Sequence, residues 1–209
     1  MNTENLLLIS ICLAAVPLLI AVGTCYLKFS IVLSLMRSGF GTQQAPSGAL
    51  ITALSLIMSL VVMQPVVDKT YRLVEGDTVQ VENIKNLAGY VKLLEECSQP
   101  WQQFLAAHAG EREIAVFSKL ANRTAELSKP TVTVLLASFV LTEIKKAFVL
   151  SFFLLIPFFM IDIIVANLLV AMGLTMMSPI IVSLPIKLLL FISTDGWLLL
   201  SKNLIQAYL

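Results

Sequence analysis

Ionisable side chains inside long apolar stretches are the residues of this sequence that could do chemistry. Each costs about 3 kcal/mol at the centre of a membrane helix unless it is paired or hydrated. Five interrupt such stretches, and two lysines lie near a predicted helix start: Lys28, Glu143, Asp162, Lys187 and Asp195, with Lys145 and Lys146. Three interpretations are open: ion pairs between helices or subunits, a proton or ion relay, and a catalytic site.

The motif content favours ion pairing over the other two. A relay normally shows several acids and a histidine in series, but the single histidine is His108, in a polar region. The sequence contains no HExxH, GxSxG, CxxC, Walker A or GxGxxG motif, and Asp162 and Asp195 fall in different predicted helices. We therefore expect a protein that is not an enzyme and that has no metal site, cofactor or nucleotide.

A second stretch of unusual chemistry is Ala171-Met-Gly-Leu-Thr-Met-Met-Ser-Pro179, whose residues 172–179 we name the methionine loop. Gly173 is suited to end one helix and Pro179 to begin the next. One interpretation is a turn at a membrane surface, with the methionines filling gaps. The alternative is a deformable apolar constriction repeated around a symmetric ring, because thioethers repack around different shapes and a narrow apolar ring closes a pore by dewetting.

The composition limits the classes of protein that can hold these residues. Of 209 residues, 58% are hydrophobic and 13% are charged, and the mean hydropathy is +0.90. Soluble domains are about 25% charged. A disordered chain and a disulfide-stapled miniprotein are excluded, and a net charge of +1 gives no broad basic face for nucleic acid. The chain must be hidden from water in lipid, in partner proteins or in both.

The distribution of charge predicts the elements that position these residues. Residues 68–129 hold 17 of the 27 charged side chains. We predict an all-α protein with a hydrophobic helical hairpin at 1–67, a polar helical insert at 68–130 and a second hydrophobic hairpin at 131–209. Long kinked helices are predicted near 5–37, 46–74, 131–171 and 180–208, and amphipathic helices of the insert near 80–97 and 100–126.

Glycine, proline and cysteine refine this prediction. The turns within the hairpins are marked by Gly39, Gly41, Pro46 and Gly48, and by Gly173 and Pro179. Kinks are predicted inside apolar helices at Pro17, Pro65, Pro157 and Pro185. The three cysteines are expected to be thiols acting as small apolar residues: Cys12, Cys25 and Cys97.

The first residues and the basic residues give expectations about topology. The first charge is the acidic Glu4 and apolar character runs past residue 30, so we expect a retained helix and no secretory signal. The flanks of the insert and the C-terminal tail carry more Lys and Arg than the opposite side. The positive-inside rule therefore predicts a cytoplasmic insert.

Several segments in consistent order resemble the FliP/SctR family of type III secretion export-gate proteins. The resemblance covers residues 20–67 and 130–205. It rests on Lys28-Phe-Ser-Ile-Val-Leu-Ser-Leu-Met-Arg37, Gly41-Thr-Gln-Gln-Ala-Pro46, Phe139-Val-Leu-Thr-Glu-Ile-Lys-Lys-Ala-Phe148, Leu155-Ile-Pro-Phe-Phe-Met-Ile-Asp162, Ala171-Met-Gly173, Ser178-Pro179, Ser183-Leu-Pro-Ile-Lys-Leu-Leu-Leu-Phe191 and Asp195-Gly-Trp197. Gly23-Thr-Cys-Tyr-Leu-Lys-Phe-Ser30 looks more like the injectisome branch, which serves virulence, than the flagellar branch.

The resemblance implies a non-enzymatic core subunit of the export gate. Family members form a pentamer that joins SctS-like and SctT-like subunits in a helical pore, through which unfolded proteins pass to the inner rod and needle. The pore would lie at the bacterial inner membrane, largely on its periplasmic side. The resemblance places the insert in the periplasm, against the positive-inside count.

The resemblance also implies roles for single residues. The methionine loop aligns with a methionine-rich gasket that constricts the pore, formed here by Met172, Leu174, Thr175, Met176 and Met177. The family typically has three methionines after the glycine, whereas this chain has Leu-Thr-Met-Met. Glu143 and Lys187 match the family positions for a charge pair between neighbouring subunits. The other predicted buried charges are Lys28, Asp162 and Asp195.

A different class of protein is the alternative: a small multi-pass membrane transporter or channel subunit working as a monomer or dimer. It predicts a binding site at the membrane midplane, inverted repeats and lipid-facing helices. The number of copies in a gently extracted complex distinguishes it from a pentameric export gate.

Overall fold

The computed structural model describes residues 20–41, 46–75, 87–121 and 130–208. Within these ranges the chain is helical or connects helices, and no strand occurs, which confirms the all-α prediction. The helices are α1 (Tyr26–Gly39), α2 (Gly48–Glu75), α3 (Leu87–His108), α4 (Glu111–Leu120), α5 (Val132–Ala171), α6 (Pro179–Ser193) and α7 (Gly196–Gln206). Predictions made for Glu4, Cys12 and Pro17 fall outside the described residues.

The helices predicted near 46–74 and 131–171 are confirmed by α2 and α5. The single kinked helix predicted near 5–37 is wrong in its described part, because the chain leaves the helix at Thr24 and Cys25 between residues 20–23 and α1. The carbonyl of Gly23 accepts a hydrogen bond of 2.7 Å from the indole Nε1 of Trp101. A partner from a distant helix thus satisfies a carbonyl at the break.

The single helix predicted over 180–208 is also wrong, because Asp195 separates α6 from α7, whose axes differ by 60°. Asp195 has φ 48° and ψ 43°, a left-handed conformation that Asp adopts more readily than most residues. Gly196 is buried directly against the ring of Phe191, and a Cβ at this position would overlap that ring. The bend therefore depends on an Asp-Gly pair, a common turn dipeptide.

In the insert, the predicted helix boundary between residues 97 and 100 is wrong. Helix α3 continues through the buried Pro100, and the break comes at residues 109–110. Gly110 has extended backbone, and its N–H donates to the hydroxyl of Thr142 over 2.9 Å. The N–H of Gly110 lies outside any helix, so the Thr142 hydroxyl gives it the acceptor that a helix would otherwise supply. The bond also fixes the position at which α4 starts.

The described residues divide into two compact units. The first takes the described parts of Met1–Cys25 and Leu60–Glu143, and the second takes Tyr26–Ser59 and Ile144–Leu209. The first unit has a small core of Leu105, Leu135 and Phe139, against which Trp101 and Phe104 pack. Cys25 and Cys97, which both belong to this unit, are thiols rather than a disulfide.

An aromatic cluster organises the second unit. The ring of Phe40 lies 4.9 Å from that of Phe158 and 5.1 Å from that of Phe191, and Phe191 meets Trp197 edge-on at 5.2 Å. Gly39, the last residue of α1, lies so close to Leu155 that a Cβ would overlap its side chain. These contacts bring α1, α5, α6 and α7 together at one place.

Most of the apolar surface of α5 is not covered by the chain's own residues. The helix has 40 residues. In its most apolar stretch of 18 residues, 17% of the residues are buried. At 1.5 Å per residue the helix is about 60 Å long, twice the hydrocarbon thickness of a bilayer. Helix α2 is also long and apolar enough to cross a membrane, and the bent pair of α6 and α7 would count as a third span.

Candidate functional site

The methionine loop begins with a helix end that needs a glycine. Gly173 has φ 75°, and its N–H donates to the carbonyl of Val170 over 3.0 Å. The N–H of Leu174 donates to the carbonyl of Leu169 over 2.9 Å. These two bonds form a Schellman motif, which satisfies carbonyls that α5 leaves open at its end. Pro179 then begins α6, where its missing N–H costs no hydrogen bond.

The side chains of the loop point outward rather than into the second unit. Met176 is fully exposed, and Met172, Leu174 and Met177 are all at least 40% exposed. The hydroxyl of Ser178 does not cap α6. A set of large apolar side chains with this exposure is unfavourable in water and available to an adjacent apolar surface. The predicted gasket residues are therefore contiguous and accessible in the single chain.

Between the two helices that flank the loop lies a set of polar side chains that we name the Asp162 cluster: Asp162 on α5 with Ser183 and Lys187 on α6. Both carboxylate oxygens of Asp162 accept hydrogen bonds, Oδ1 from the Ser183 hydroxyl over 2.5 Å and Oδ2 from the Lys187 ammonium over 2.7 Å. Lys187 is 1% exposed, whereas the Asp162 side chain is 27% exposed. Asp162 and Lys187 thus form a partly buried ion pair, in which both carboxylate oxygens of the acid accept a hydrogen bond.

Lys187 also joins the cluster to the end of α1. Its Nζ donates to the carbonyl of Gly39 over 3.0 Å. Carbonyls in the last turn of a helix have no partner within the helix and carry partial negative charge, so an ammonium group there is favourable. An open pocket of about 300 Å³ lies beside this contact, lined by residues of α1, α5 and α6 that include Leu35, Phe159 and Ile180.

The other predicted charges lie elsewhere. Glu143 is fully buried on α5 and belongs to the first unit. Lys28 is buried, with its Nζ 4.4 Å from the centre of the Tyr208 ring, a cation–π contact. Asp195 is exposed at the bend between α6 and α7. The structure thus brings Asp162 and Lys187 together within one chain, and the pairing of Glu143 with a neighbouring subunit's Lys187 stays a prediction.

Sequence reasoning missed Ser183 and the carbonyl of Gly39 as members of this site. Ser183 and Lys187 are four residues apart in a helix, which places them on one face, so their association was recognisable. The acid that they share and the helix end that Lys187 caps come from distant parts of the chain. Among the described residues, no group of three or more His, Cys, Asp and Glu side chains could hold a metal ion.

Comparison with known proteins gives one family and a set of relatives. The model of the FliP family matches residues 8–204. The surface presentation of antigens protein SpaP of Salmonella typhi is 36% identical over 203 residues, which cover 92% of this chain and 91% of that protein. The Yop proteins translocation protein R of Yersinia pestis is 34% identical over 213 residues, covering 98% and 95%.

A third relative is covered to the same extent. The hypersensitivity response secretion protein HrcR of Ralstonia nicotianae is 33% identical over 210 residues, which cover 98% of this chain and 96% of that protein. The similarity in all three extends over almost the whole of both chains. It therefore includes both units and the methionine loop.

Proposed function

The chain belongs to the FliP family, and on that premise we propose that it is a core subunit of a type III secretion export gate, forming a membrane-associated pore for unfolded proteins. The observation that carries the proposal is the family match over residues 8–204. The relatives are named for surface presentation of antigens, translocation of Yop proteins and secretion. Moving proteins out of the cell is the activity these names share.

The finer architecture is what the family resemblance implies, and the uncovered apolar surface of α5 supports it. We propose that five copies assemble with SctS-like and SctT-like subunits and cover much of the exposed surface of α5 and α6. This assembly would lie at the inner membrane, largely on its periplasmic side, with the insert of residues 68–130 in the periplasm. Association of this kind would remove the exposed apolar side chains of α5 and α6 from water, which is favourable.

The methionine loop is proposed as the constriction of this pore. Five copies would present five sets of exposed apolar side chains, and Met176 and Met177 would supply the deformable part. Water leaves a narrow apolar ring, so the closed pore resists ions. Thr175 would add a hydroxyl to that ring, so thioethers would share its lining with a polar group.

This function is structural rather than catalytic. The FliP family is a component of a secretion apparatus. The described site consists of an exposed apolar loop and of an ion pair between the two helices that flank it, which suits gating and assembly. The energy for transport would come from the proton motive force and from an ATPase elsewhere in the machine.

Deletion of the gene in its own bacterium tests the proposal. We expect substrates of the type III system to disappear from the culture medium and to return when the full chain is supplied in trans. Secretion through the general pathway should not change, which controls for membrane damage. Type III secretion that continues unchanged in the deletion strain would refute the proposed function.

A further inference from the structure

The Asp162 cluster ties together the two helices that carry the methionine loop. Asp162 lies ten residues before the start of the loop, and Ser183 and Lys187 lie four and eight residues after Pro179. We propose that Asp162, Ser183 and Lys187 are positioning residues, which hold the flanks of the loop fixed so that the loop alone moves when the pore opens. This inference rests on the proposed function.

The strength of the connection comes from its charge and its burial. Hydrogen bonds between ionised partners are shorter and about twice as strong as bonds between neutral groups. Asp162 uses one oxygen for Ser183 and the other for Lys187, and both of these α6 side chains are almost fully buried. A rotation or slide of α6 along α5 would break both bonds at once.

The end of α1 restrains the same helix at two points. Lys187 donates to the carbonyl of Gly39, as described above. Gly41 has φ 80°, and a Cβ on it would lie 2.6 Å from Cγ2 of Ile180, in the first turn of α6. The residue that follows the methionine loop by one position is thus packed directly against the backbone of the α1–α2 connection. Together these contacts restrain α6 both at its start and two turns further on.

The loop itself has few restraints of this kind. Its backbone is fixed at Gly173 by the Schellman motif, and the N–H of Met177 donates to the carbonyl of Leu174 over 3.3 Å. Its large side chains are exposed rather than packed. Segments with few buried contacts open at lower free energy than packed helices. Rigid flanks and a soft centre give a constriction that yields to a passing chain and then returns to its closed form.

The test uses the complete gate complex in its membrane, with two readouts: the amount of assembled complex and its leak to small ions. Asp162→Asn replaces one carboxylate oxygen by a donor, which then faces either the ammonium or the hydroxyl. We expect normal assembly and about a tenfold rise in leak, the effect of losing one charge-assisted bond. Ser183→Ala should raise the leak in the same direction by a smaller factor.

Matched controls make the same chemical changes at exposed positions of the same unit. Asp195→Asn keeps a side chain that tolerates the left-handed conformation, and Ser193→Ala removes a hydroxyl that donates to the carbonyl of Leu190 in its own helix. Both controls should leave the leak unchanged. Asp162→Glu, which keeps the charge, should leak less than Asp162→Asn, a rescue that a purely steric role would not produce.

The outcomes separate this inference from the function on which it rests. A wild-type complex that secretes normally, combined with unchanged leak in assembled Asp162→Asn and Ser183→Ala complexes, would overturn the positioning role alone. A wild-type chain that supports no type III secretion would overturn the function. Should Asp162→Asn not assemble, Ser183→Ala decides the question, because it leaves the ion pair in place.

Discussion

The ammonium of Lys187 lies 2.7 Å from Oδ2 of Asp162, and this contact joins α5 to α6 within one chain. The two helices meet again at the methionine loop, which connects them. A lysine buried in an apolar helix therefore has its charge satisfied before any second subunit is present. The pairing of Lys187 with Glu143 of a neighbouring subunit stays a prediction, and it would give Lys187 a second acid in the assembled gate.

Loss of the thioethers in the methionine loop should weaken the closed state of the pore. Replacing both Met176 and Met177 with Ala removes the largest exposed side chains at the centre of the loop and widens the constriction. We expect increased leak of ions and small molecules through the assembled complex, measured as conductance in planar bilayers. Ile57→Ala, a change at an exposed position of α2, is the control. Permeability equal to that of the wild type would argue against a gasket.

Neutralising Glu143 should prevent assembly. The residue is fully buried, and removing one acid from a buried charge pair costs up to about 3–5 kcal/mol, less where a second acid, here Asp162, still compensates the lysine. We expect Glu143→Ala to give no pentamer in native mass spectrometry, with Glu111→Ala, at an exposed position, as the control. A normal pentamer from Glu143→Ala would contradict the pairing between subunits.

An exchange of charge between positions 143 and 187 should partly restore assembly. The structure adds a condition, because an acid at position 187 would lie beside Asp162 and repel it. The exchange Glu143→Lys with Lys187→Glu should therefore recover more pentamer when Asp162→Asn is added. Equal recovery with and without the third change would show that position 187 does not face Asp162 in the assembly.

The hydroxyl of Thr142 should be needed at the junction of α3 and α4. It accepts the N–H of Gly110 over 2.9 Å and donates to the carbonyl of Ser138 over 2.7 Å. Thr142→Val leaves the Gly110 donor without this acceptor, at a cost of about 1–3 kcal/mol. We expect faster hydrogen exchange at residues 109–114 and a lower unfolding temperature. Thr133→Val, at an exposed position of the same helix, is the matched control, and equal exchange in both variants would exclude this role.

A methyl group at Gly196 should destabilise the bend between α6 and α7. The Cβ of Gly196→Ala would overlap the Phe191 ring, and overpacking of this kind costs about 1–3 kcal/mol. A lower thermal midpoint of the purified complex is the expected result. At Gly48 an added Cβ would meet its nearest atom, Nη1 of Arg37, at an ordinary 3.7 Å, so Gly48→Ala is the control. Identical midpoints would mean that the ring moves aside freely.

The sequence was sufficient to predict the elements that depend on local signals. Uninterrupted apolar stretches predicted α2 and α5, and a glycine and a proline predicted both ends of the methionine loop. The breaks at Thr24, Gly110 and Asp195 were missed. Two of them involve a backbone group that bonds to a distant side chain, Trp101 in one case and Thr142 in the other, and no local pattern reports such a bond.

The residues of the candidate site could also be predicted from the sequence only in part. The loop residues were identified from their types and from the family resemblance, and the charged residues from their apolar surroundings. Their pairing was not derivable, because Asp162 and Lys187 lie in different helices and any acid in the apolar regions was a possible partner. The end of α1 also contributes to the site, through the carbonyl of Gly39 that accepts a hydrogen bond from Lys187. Every residue has a carbonyl, so no sequence pattern distinguishes this one.

The most direct test of the export-gate account is a cross-link between the methionine loop and a protein in transit. A photoreactive amino acid replaces Met176, and a secreted substrate is stalled in the machine by fusion to a domain that cannot unfold. We expect an adduct of the chain with the substrate on irradiation, and none from the same probe at Gln103, which is exposed on α3 of the other unit. A stalled substrate that gives no adduct at position 176, in a strain that secretes the unfused substrate normally, would contradict passage through this loop.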